Sequence, residues 1–375
     1  MNRPTHGGNL AWAAALAGCS PSLILDFSAS INPLGPPKSA IAAIKSQLKD
    51  LIAYPDPNYH QLRASLSQLH PTLTADWILP GNGSAELLTW AGRELSELEG
   101  TCLVTPAFSD YRRALKAFDA KVREYPLELQ VEQGLQVGRL QVGRLQVESS
   151  SQSFNLQLSN LQPSTLGLLL NNPHNPTGQL FDRETILPLL EQFALVIVDE
   201  AFMDFLPPDQ QQSLIPVVQD YQNLVILRSL TKFYSLPGLR LGYCVAHPDR
   251  LGRFSQWRDP WSVNTLAAAA ATAVVQDTEF QQKTWNWLPV ARSQLFQGLQ
   301  SLPGLQPYKS AANFLLVRSE QPSSHLQEKL LKQSRILIRD CLSFPELGDR
   351  YFRVAVRTEA DNQRLLEGLD AILKG

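Results

Sequence analysis

The sequence predicts an α/β protein: a large domain with a mixed, mostly parallel sheet flanked by helices, plus a smaller α+β domain. Three observations carry this prediction. From about residue 76 to 260, short apolar runs alternate with longer helical patterns, as strands joined by helical crossovers do. After about residue 262 the pattern changes to long helices, then strand-like runs, then a closing amphipathic helix. The chain has 375 residues, 44% hydrophobic and 18% charged, roughly two or three domains' worth of ordinary globular sequence.

The elements follow in order. Residues 1–45 read as an N-terminal segment that contributes to the small domain and to the active site. Within it Leu16-Ala17-Gly18-Cys19 looks like a lipoprotein cleavage box. The apolar stretch before it is short, however, and a folded pattern resumes at Leu23 with no polar tether, so it reads as part of the folded chain. Asn32-Pro-Leu-Gly-Pro-Pro37 cannot be helical before Lys38 and marks the segment's crossing between domains. Residues 46–262 form the large domain, with strands expected at 77–79, 101–105, 165–170, 195–199, 224–228 and 242–246. Several of these end in a turn carrying Asn, Asp or Ser. Ligands of open α/β sheets bind at the carboxyl ends of the strands, which places the chemistry on one rim. Leu135-Gln-Val-Gly-Arg139 recurs as Leu140-Gln-Val-Gly-Arg144 and again as Leu145-Gln-Val147, an expanded surface insertion over 135–150 that is too short for a solenoid. Residues 263–375 form the small domain, with strands expected at 313–317, 336–338 and 351–356.

Composition excludes several function classes. Lys and Arg total 33 against 35 Asp and Glu, a net charge of -2 that offers no polyanion-binding surface, so nucleic acid is not the expected partner. The four cysteines lack metal-ligand spacing and disulfide density, so no metal site is expected and the thiols read as reduced. No run approaches the ~18 apolar residues of a membrane span. The chain reads as a cytoplasmic protein acting on a small molecule.

The strongest chemical signal is Ser229-Leu-Thr231-Lys232, with Gly238, Arg240 and Gly242 after it, directly following an apolar strand. A lysine between hydroxyls, with an arginine eight residues on, can form an imine with an aldehyde cofactor while Ser229, Thr231 and Arg240 hold a phosphate. Asp199 ends the run Ala194-Leu-Val-Ile-Val198, where an unpaired carboxylate costs several kcal/mol, so it needs a cationic partner. A protonated pyridine nitrogen would serve. Asn171-Asn-Pro-His-Asn-Pro-Thr-Gly178 forms a rigid turn that can hold the Asn175 amide against a ring oxygen. In Gly81-Asn-Gly83-Ser84-Ala85, between strand and helix, free N–H groups favour a phosphate. Phe108, after the next strand, can stack on an aromatic ring.

In order and spacing these motifs resemble the fold-type I pyridoxal-phosphate enzymes, the aspartate aminotransferase superfamily, over nearly the whole chain. The resemblance implies a pyridoxal 5'-phosphate cofactor and a fold-type I transferase fold. It implies that Lys232 is the Schiff-base lysine, Asp199 the pyridinium partner and Asn175 the donor to the ring hydroxyl. Gly83, Ser84, Ser229, Thr231 and Arg240 would surround the phosphate. Tyr54, in Tyr54-Pro-Asp-Pro57, looks like the tyrosine that reaches the partner subunit's phosphate, which implies a homodimer with shared sites. One departure is Phe202, where many relatives carry a tyrosine that bonds the ring hydroxyl; Asn175 must then do more of that work.

The substrate arms choose among the family's reactions, because fold alone does not. Arg339, Arg353 and Arg357 fall on small-domain strands, and Arg353 and Arg357, four apart, should share one strand face. Surplus arginine suits a substrate with a carboxylate and a phosphate. His6, in His6-Gly-Gly-Asn9, can touch a substrate phosphate, and Asn32 joins the candidate substrate contacts. Here the resemblance narrows to the threonine-phosphate decarboxylases of cobalamin biosynthesis, which share the His-Gly-Gly-Asn start, the Asn32–Pro37 segment, Phe202 and the Arg339–Arg353 pair. It implies a phosphorylated amino acid substrate, O-phospho-L-threonine, converted to 1-aminopropan-2-ol O-phosphate and carbon dioxide. The near relatives are histidinol-phosphate aminotransferases using 2-oxoglutarate, which share Tyr54-Pro-Asp-Pro57, Asn313-Phe314 and Arg353.

Overall fold

The computed structural model describes residues 3–127, 140–141, 154–155 and 163–374. In chain order its strands are β1 (Leu25–Asp26), β2 (Ile78–Asn82), β3 (Gly100–Thr105), β4 (Val122–Pro126), β5 (Leu140–Gln141), β6 (Phe154–Asn155) and β7 (Leu166–Asn171). These are followed by β8 (Leu195–Asp199), β9 (Leu224–Ser229), β10 (Leu241–Ala246), β11 (Leu305–Pro307), β12 (Phe314–Ser319), β13 (Ile336–Leu337) and β14 (Tyr351–Ala355). Seven of them form the central sheet, in the order β2-β10-β9-β8-β7-β3-β4. Only β10 runs antiparallel to its neighbours, so the sheet is mixed and mostly parallel. Apart from the two-residue parallel ladder β5–β6, the 135–150 insertion lies outside the described residues.

Helices cover both faces of this sheet, which is why its inner strands are continuous apolar runs rather than alternating ones. Successive side chains point to opposite faces. Leu168, Leu170, Val196, Val198 and Ile226 pack into the core that contains the helices Thr265–Val274 and Thr278–Gln300. Leu169, Ile197, Val225 and Leu227 pack into the other layer, against Leu87, Ala91 and Leu95 of the helix Ser84–Ser96. Each such residue, fully buried, contributes about 1.5–3 kcal/mol. Among the described residues no helix is long and apolar enough to cross a membrane.

The sequence reading missed one strand in each of the two larger sheets, and also β1. β4 is an edge strand of sequence Val-Arg-Glu-Tyr-Pro, largely exposed and ending in proline, so it carries no apolar run to detect. β11 is only three residues long and joins β12 and β14 in an antiparallel sheet. The expected strand at 336–338 is β13, and it pairs in parallel with β1 rather than joining that sheet. The N-terminal segment thereby packs on C-terminal elements: Ala13, Ala14 and Ile24 share a cluster with Leu331 and Leu337.

A buried charge network stands behind the rim of the central sheet. Arg228, 2% exposed on β9, pairs with Glu200 at 3.0 Å and with Asp204. The Ser213 hydroxyl and the Leu214 N–H donate to Glu200 at 2.7 and 2.8 Å. Removing one member of a buried ion group leaves the other unpaired, which costs about 3–5 kcal/mol. Arg228→Leu should therefore lower unfolding stability by about that amount, read as a fall in the urea midpoint. A change under about 1 kcal/mol would show the network to be unimportant.

Candidate active site

Register places the chemistry. Asn171 pairs with Asp199 across β7–β8, and Ser229 closes β9 beside Gly242 of β10, so these side chains emerge at the carboxyl rim of neighbouring strands. Asn171 and Asp199 border a cavity of about 220 Å³ that is also lined by His6, Ser84, Phe108, Asn175, Phe202, Lys232, Arg339 and Arg353.

Lys232 sits in the short helix Leu230–Phe233 that follows β9. Its ammonium donates to the Ser229 hydroxyl at 3.2 Å, and that hydroxyl bonds Thr231 Oγ1 at 2.8 Å. Burial pushes the Lys232 amine down to about 8, against the pull of Asp199 and with help from Arg240 and Arg353. The Asp199 carboxylate is held from two sides: Ala201 N–H donates to Oδ1 at 2.9 Å and the Tyr111 hydroxyl donates to Oδ2 at 2.8 Å. Burial raises its proton affinity, and Lys232 and these donors oppose the rise. The Tyr111 hydroxyl is pushed well above its ordinary value by burial and by Asp199, so it stays a neutral donor.

Phe108 meets Tyr111 edge-on, with ring centroids 5.7 Å apart, and faces the His6 ring at 5.6 Å. Asn175 lies in a loop braced by the Asn172 side chain, which donates to Phe181 O at 2.8 Å and accepts from Phe181 N–H at 2.9 Å. Asn175 Oδ1 accepts from Arg353, whose guanidinium lies 4.6 Å from the Phe314 ring centroid. Arg353 is pushed down to about 10 by burial and by the like charge of Arg339. The two arginines are joined through their backbones, N–H to O in both directions, at 3.0 and 2.8 Å. The Arg339 side chain donates to Thr5 O and to Ser343 Oγ. Burial and the Arg339 charge lower the affinity of His6 for a proton, so it stands neutral at the cavity mouth.

A corner beside the cavity collects anion-binding groups. Ser84 opens the 13-residue helix Ser84–Ser96, whose first N–H groups are free of helical partners. Gly83 before it has φ of 76°, and a Cβ there would stand 2.7 Å from Arg240 Nη2, so only glycine lets that guanidinium approach. These residues fit a pyridoxal phosphate: a cradle for its phosphate, a buried amine for its aldehyde carbon, a carboxylate for its ring nitrogen and an aromatic face.

Two sequence expectations, Arg357 and Asn32, are placed elsewhere. Arg357 does not line the cavity. β14 ends at Ala355, so the two-residue strand period never reaches position 357, and Arg357 instead pairs with Asp361 at 3.1 Å and donates to Asp26 O at 3.1 Å. Asn32 is buried away from the cavity, its amide donating to Phe233 O and Thr284 Oγ1, both at 2.9 Å, while its N–H donates to Lys232 O. It braces the lysine helix and does not contact the cavity. Tyr54 is 78% exposed and stacks on Trp261 at 4.5 Å, outside the cavity of its own chain. Tyr111 and Ser28 to Ile31, by contrast, line the cavity without having been singled out. Tyr111 lies in the first turn of the helix Ser109–Lys116, which Phe108 precedes, and its ring meets Phe108 edge-on.

The sequence model of the aminotransferase class I and II family matches residues 23–369. The chain is 40% identical to a threonine-phosphate decarboxylase of Salmonella typhimurium, over 99% of this chain and 97% of that protein. It is 34% identical to a histidinol-phosphate aminotransferase of Symbiobacterium thermophilum, over 91% of this chain and 88% of that protein. The crystal structure of the histidinol-phosphate aminotransferase from Clostridium acetobutylicum superposes with a TM-score of 0.81 at 27% identity, covering 94% of this chain and 99% of that one.

The Lys232 amine yields a prediction. At pH 8 about half of it is neutral, against well under ~1% for an ordinary lysine of pKa about 10.4. Uptake of pyridoxal phosphate by cofactor-free protein, followed by visible absorbance, should therefore speed up through about pH 8 and level off above it. A rate that keeps climbing to about pH 10 would contradict the lowered amine. Lys232→Ala should abolish the absorbance.

Proposed function

The chain belongs to the aminotransferase class I and II family, and from that premise we propose that it is the pyridoxal-phosphate-dependent decarboxylase of O-phospho-L-threonine in cobalamin biosynthesis. The products are 1-aminopropan-2-ol O-phosphate and carbon dioxide. The observation that carries this reading is the pair of buried guanidiniums, Arg339 and Arg353, joined backbone to backbone in the same cavity as Lys232. Two buried like charges are unfavourable alone and call for an anionic occupant; a carboxylate and a phosphate on one molecule supply both counter-charges.

Pyridoxal phosphate, when bound, draws off the electron pair of a bond cleaved at the substrate's α-carbon. In this assignment Gly83, Ser84, Ser229, Thr231 and Arg240 hold its phosphate, and Phe108 stacks on its ring. Asp199 holds the ring nitrogen protonated. Asn175 Oδ1 is occupied by Arg353, which leaves its Nδ2 as the donor to the ring hydroxyl. Phe202 has no hydroxyl to share that task. Arg353 would grip the substrate carboxylate and orient its bond to the α-carbon, so that this bond is the one that breaks. Arg339 and the neutral His6 take the phosphate. Carbon dioxide departs without its bonding pair, and Lys232 Nζ returns a proton to the α-carbon.

The wider assignment follows the same reading. Residues 46–262 serve as the large cofactor-binding domain, and residues 1–45 and 263–375 as the small domain and its N-terminal contribution. The protein works as a cytoplasmic homodimer: Leu48, Leu51, Ile52, Tyr54 and Trp261 form an exposed apolar surface that a second copy covers. Tyr54 then reaches the partner subunit's cofactor phosphate.

Purified, cofactor-loaded protein should release carbon dioxide and aminopropanol phosphate from O-phospho-L-threonine without any keto acid. No reaction there, with glutamate formed from histidinol phosphate and 2-oxoglutarate, would make it an aminotransferase instead. Arg353→Ala should lower kcat/KM by at least about a hundredfold while leaving the bound cofactor's absorbance intact. Loss of that absorbance would place Arg353 in cofactor binding.

A further inference from the structure

Residues 3–8 run across the mouth of the cavity and are tied down at both ends. At one end, Arg3 Nη1 donates to Gln327 Oε1 at 2.6 Å and to Asp340 Oδ2 at 3.0 Å, and Nη2 donates to Ser324 O at 3.1 Å. At the other, the Gly8 N–H donates to Ser28 Oγ at 2.8 Å, and Ser28 donates in turn to Asp26 at 2.6 Å. Between them the Thr5 carbonyl accepts from Arg339, and His6 approaches Ser109 Oγ at 3.4 Å. Gly7 is pressed so close that a Cβ would lie 2.2 Å from Ser28 O.

The partners of Arg3 flank Arg339 on both sides. Gln327 donates to Ile338 O at 2.8 Å, so it fixes the residue before Arg339, and Asp340 is the residue after it. One guanidinium thus bonds to both supports of the 338–340 backbone, and the same backbone is bridged to Arg353. We propose that Arg3 is a positioning residue for substrate: it clamps residues 338–340 and draws residues 3–8 over the cavity, which holds Arg339 and His6 where they meet the substrate's phosphate. This rests on the proposed decarboxylase reading for the identity of that substrate. Arg3 does not line the cavity, and so it acts through Arg339 and His6.

The test is Arg3→Ala in the cofactor-loaded full chain, with steady-state kinetics and calorimetric binding of O-phospho-L-threonine. KM and the dissociation constant should both rise roughly tenfold, the loss expected for one charge-assisted contact, while kcat and the cofactor's absorbance stay near wild type. Asp340→Asn should raise KM in the same direction by a smaller factor, and the double variant should be no worse than Arg3→Ala alone, because the Asp340 contact is one of those that Arg3→Ala already removes. Arg3→Lys should recover part of the effect by restoring the charge. A lower melting temperature with unaltered KM and affinity would overturn the proposal and make Arg3 a mere anchor of the terminus. The two readings fail separately. Glutamate formation in place of carbon dioxide release sinks the decarboxylase, whereas an affinity unmoved by Arg3→Ala sinks the role of Arg3 whichever bond the enzyme breaks.

Discussion

A carboxylate at the end of a buried strand governs this site. Val196 to Val198 are fully buried, and β8 delivers Asp199 to the rim, where it lines the cavity. Burial raises its proton affinity, and the fold opposes that rise with Ala201 N–H, the Tyr111 hydroxyl and the Lys232 ammonium. Each of these answers a cost, and each is also placed for chemistry. Lys232, drawn into the same pocket, becomes an amine that is about half neutral at pH 8 instead of an inert cation. The next residue, Glu200, points the other way and is paid for by Arg228, so one strand end supports both the site and the charge network behind it.

The same logic extends to the arginines. Arg339 and Arg353 are only 5% and 9% exposed, and among the described residues neither is ion-paired with a carboxylate. They are held by backbone pairing, by Asn175, by Ser343 and by the Thr5 carbonyl, none of which neutralises them. Their unmatched charge is a stored preference for an anionic guest. Asn175 joins this wall to the rest of the cavity, because its oxygen accepts from Arg353; in the proposed assignment its nitrogen would serve a ring oxygen.

Much of this was legible in the sequence because strand ends and turns have local signatures. Asp199 closing an apolar run, Lys232 between hydroxyls, the Asn-Pro turn around Asn175 and glycine before Ser84 are each readable within a few residues. Edge strand β4 lacked the apolar run that betrays an inner strand, and the pairing of β1 with β13 joins residues some 310 positions apart with only two rungs. Arg357 misled because the strand that would have aligned it with Arg353 stops at Ala355. Asn32 lies in a motif near the cleft, yet its amide is spent on Phe233 and Thr284; position along the chain does not say which way a side chain turns. Tyr111 escaped because its partner Asp199 is 88 residues away, a contact that only the packed layers create.

The central claim is that the arginine wall fixes which bond at the α-carbon breaks. It is tested most directly by running the reaction on O-phospho-L-threonine in deuterium oxide and reading the amine-bearing carbon of the product by nuclear magnetic resonance. A single deuterium at that carbon beside the retained α-hydrogen is the predicted result, since the carboxylate leaves and solvent supplies its replacement. Loss of the α-hydrogen with the carboxylate still in place would show that the wall aligns the other bond and would contradict the account.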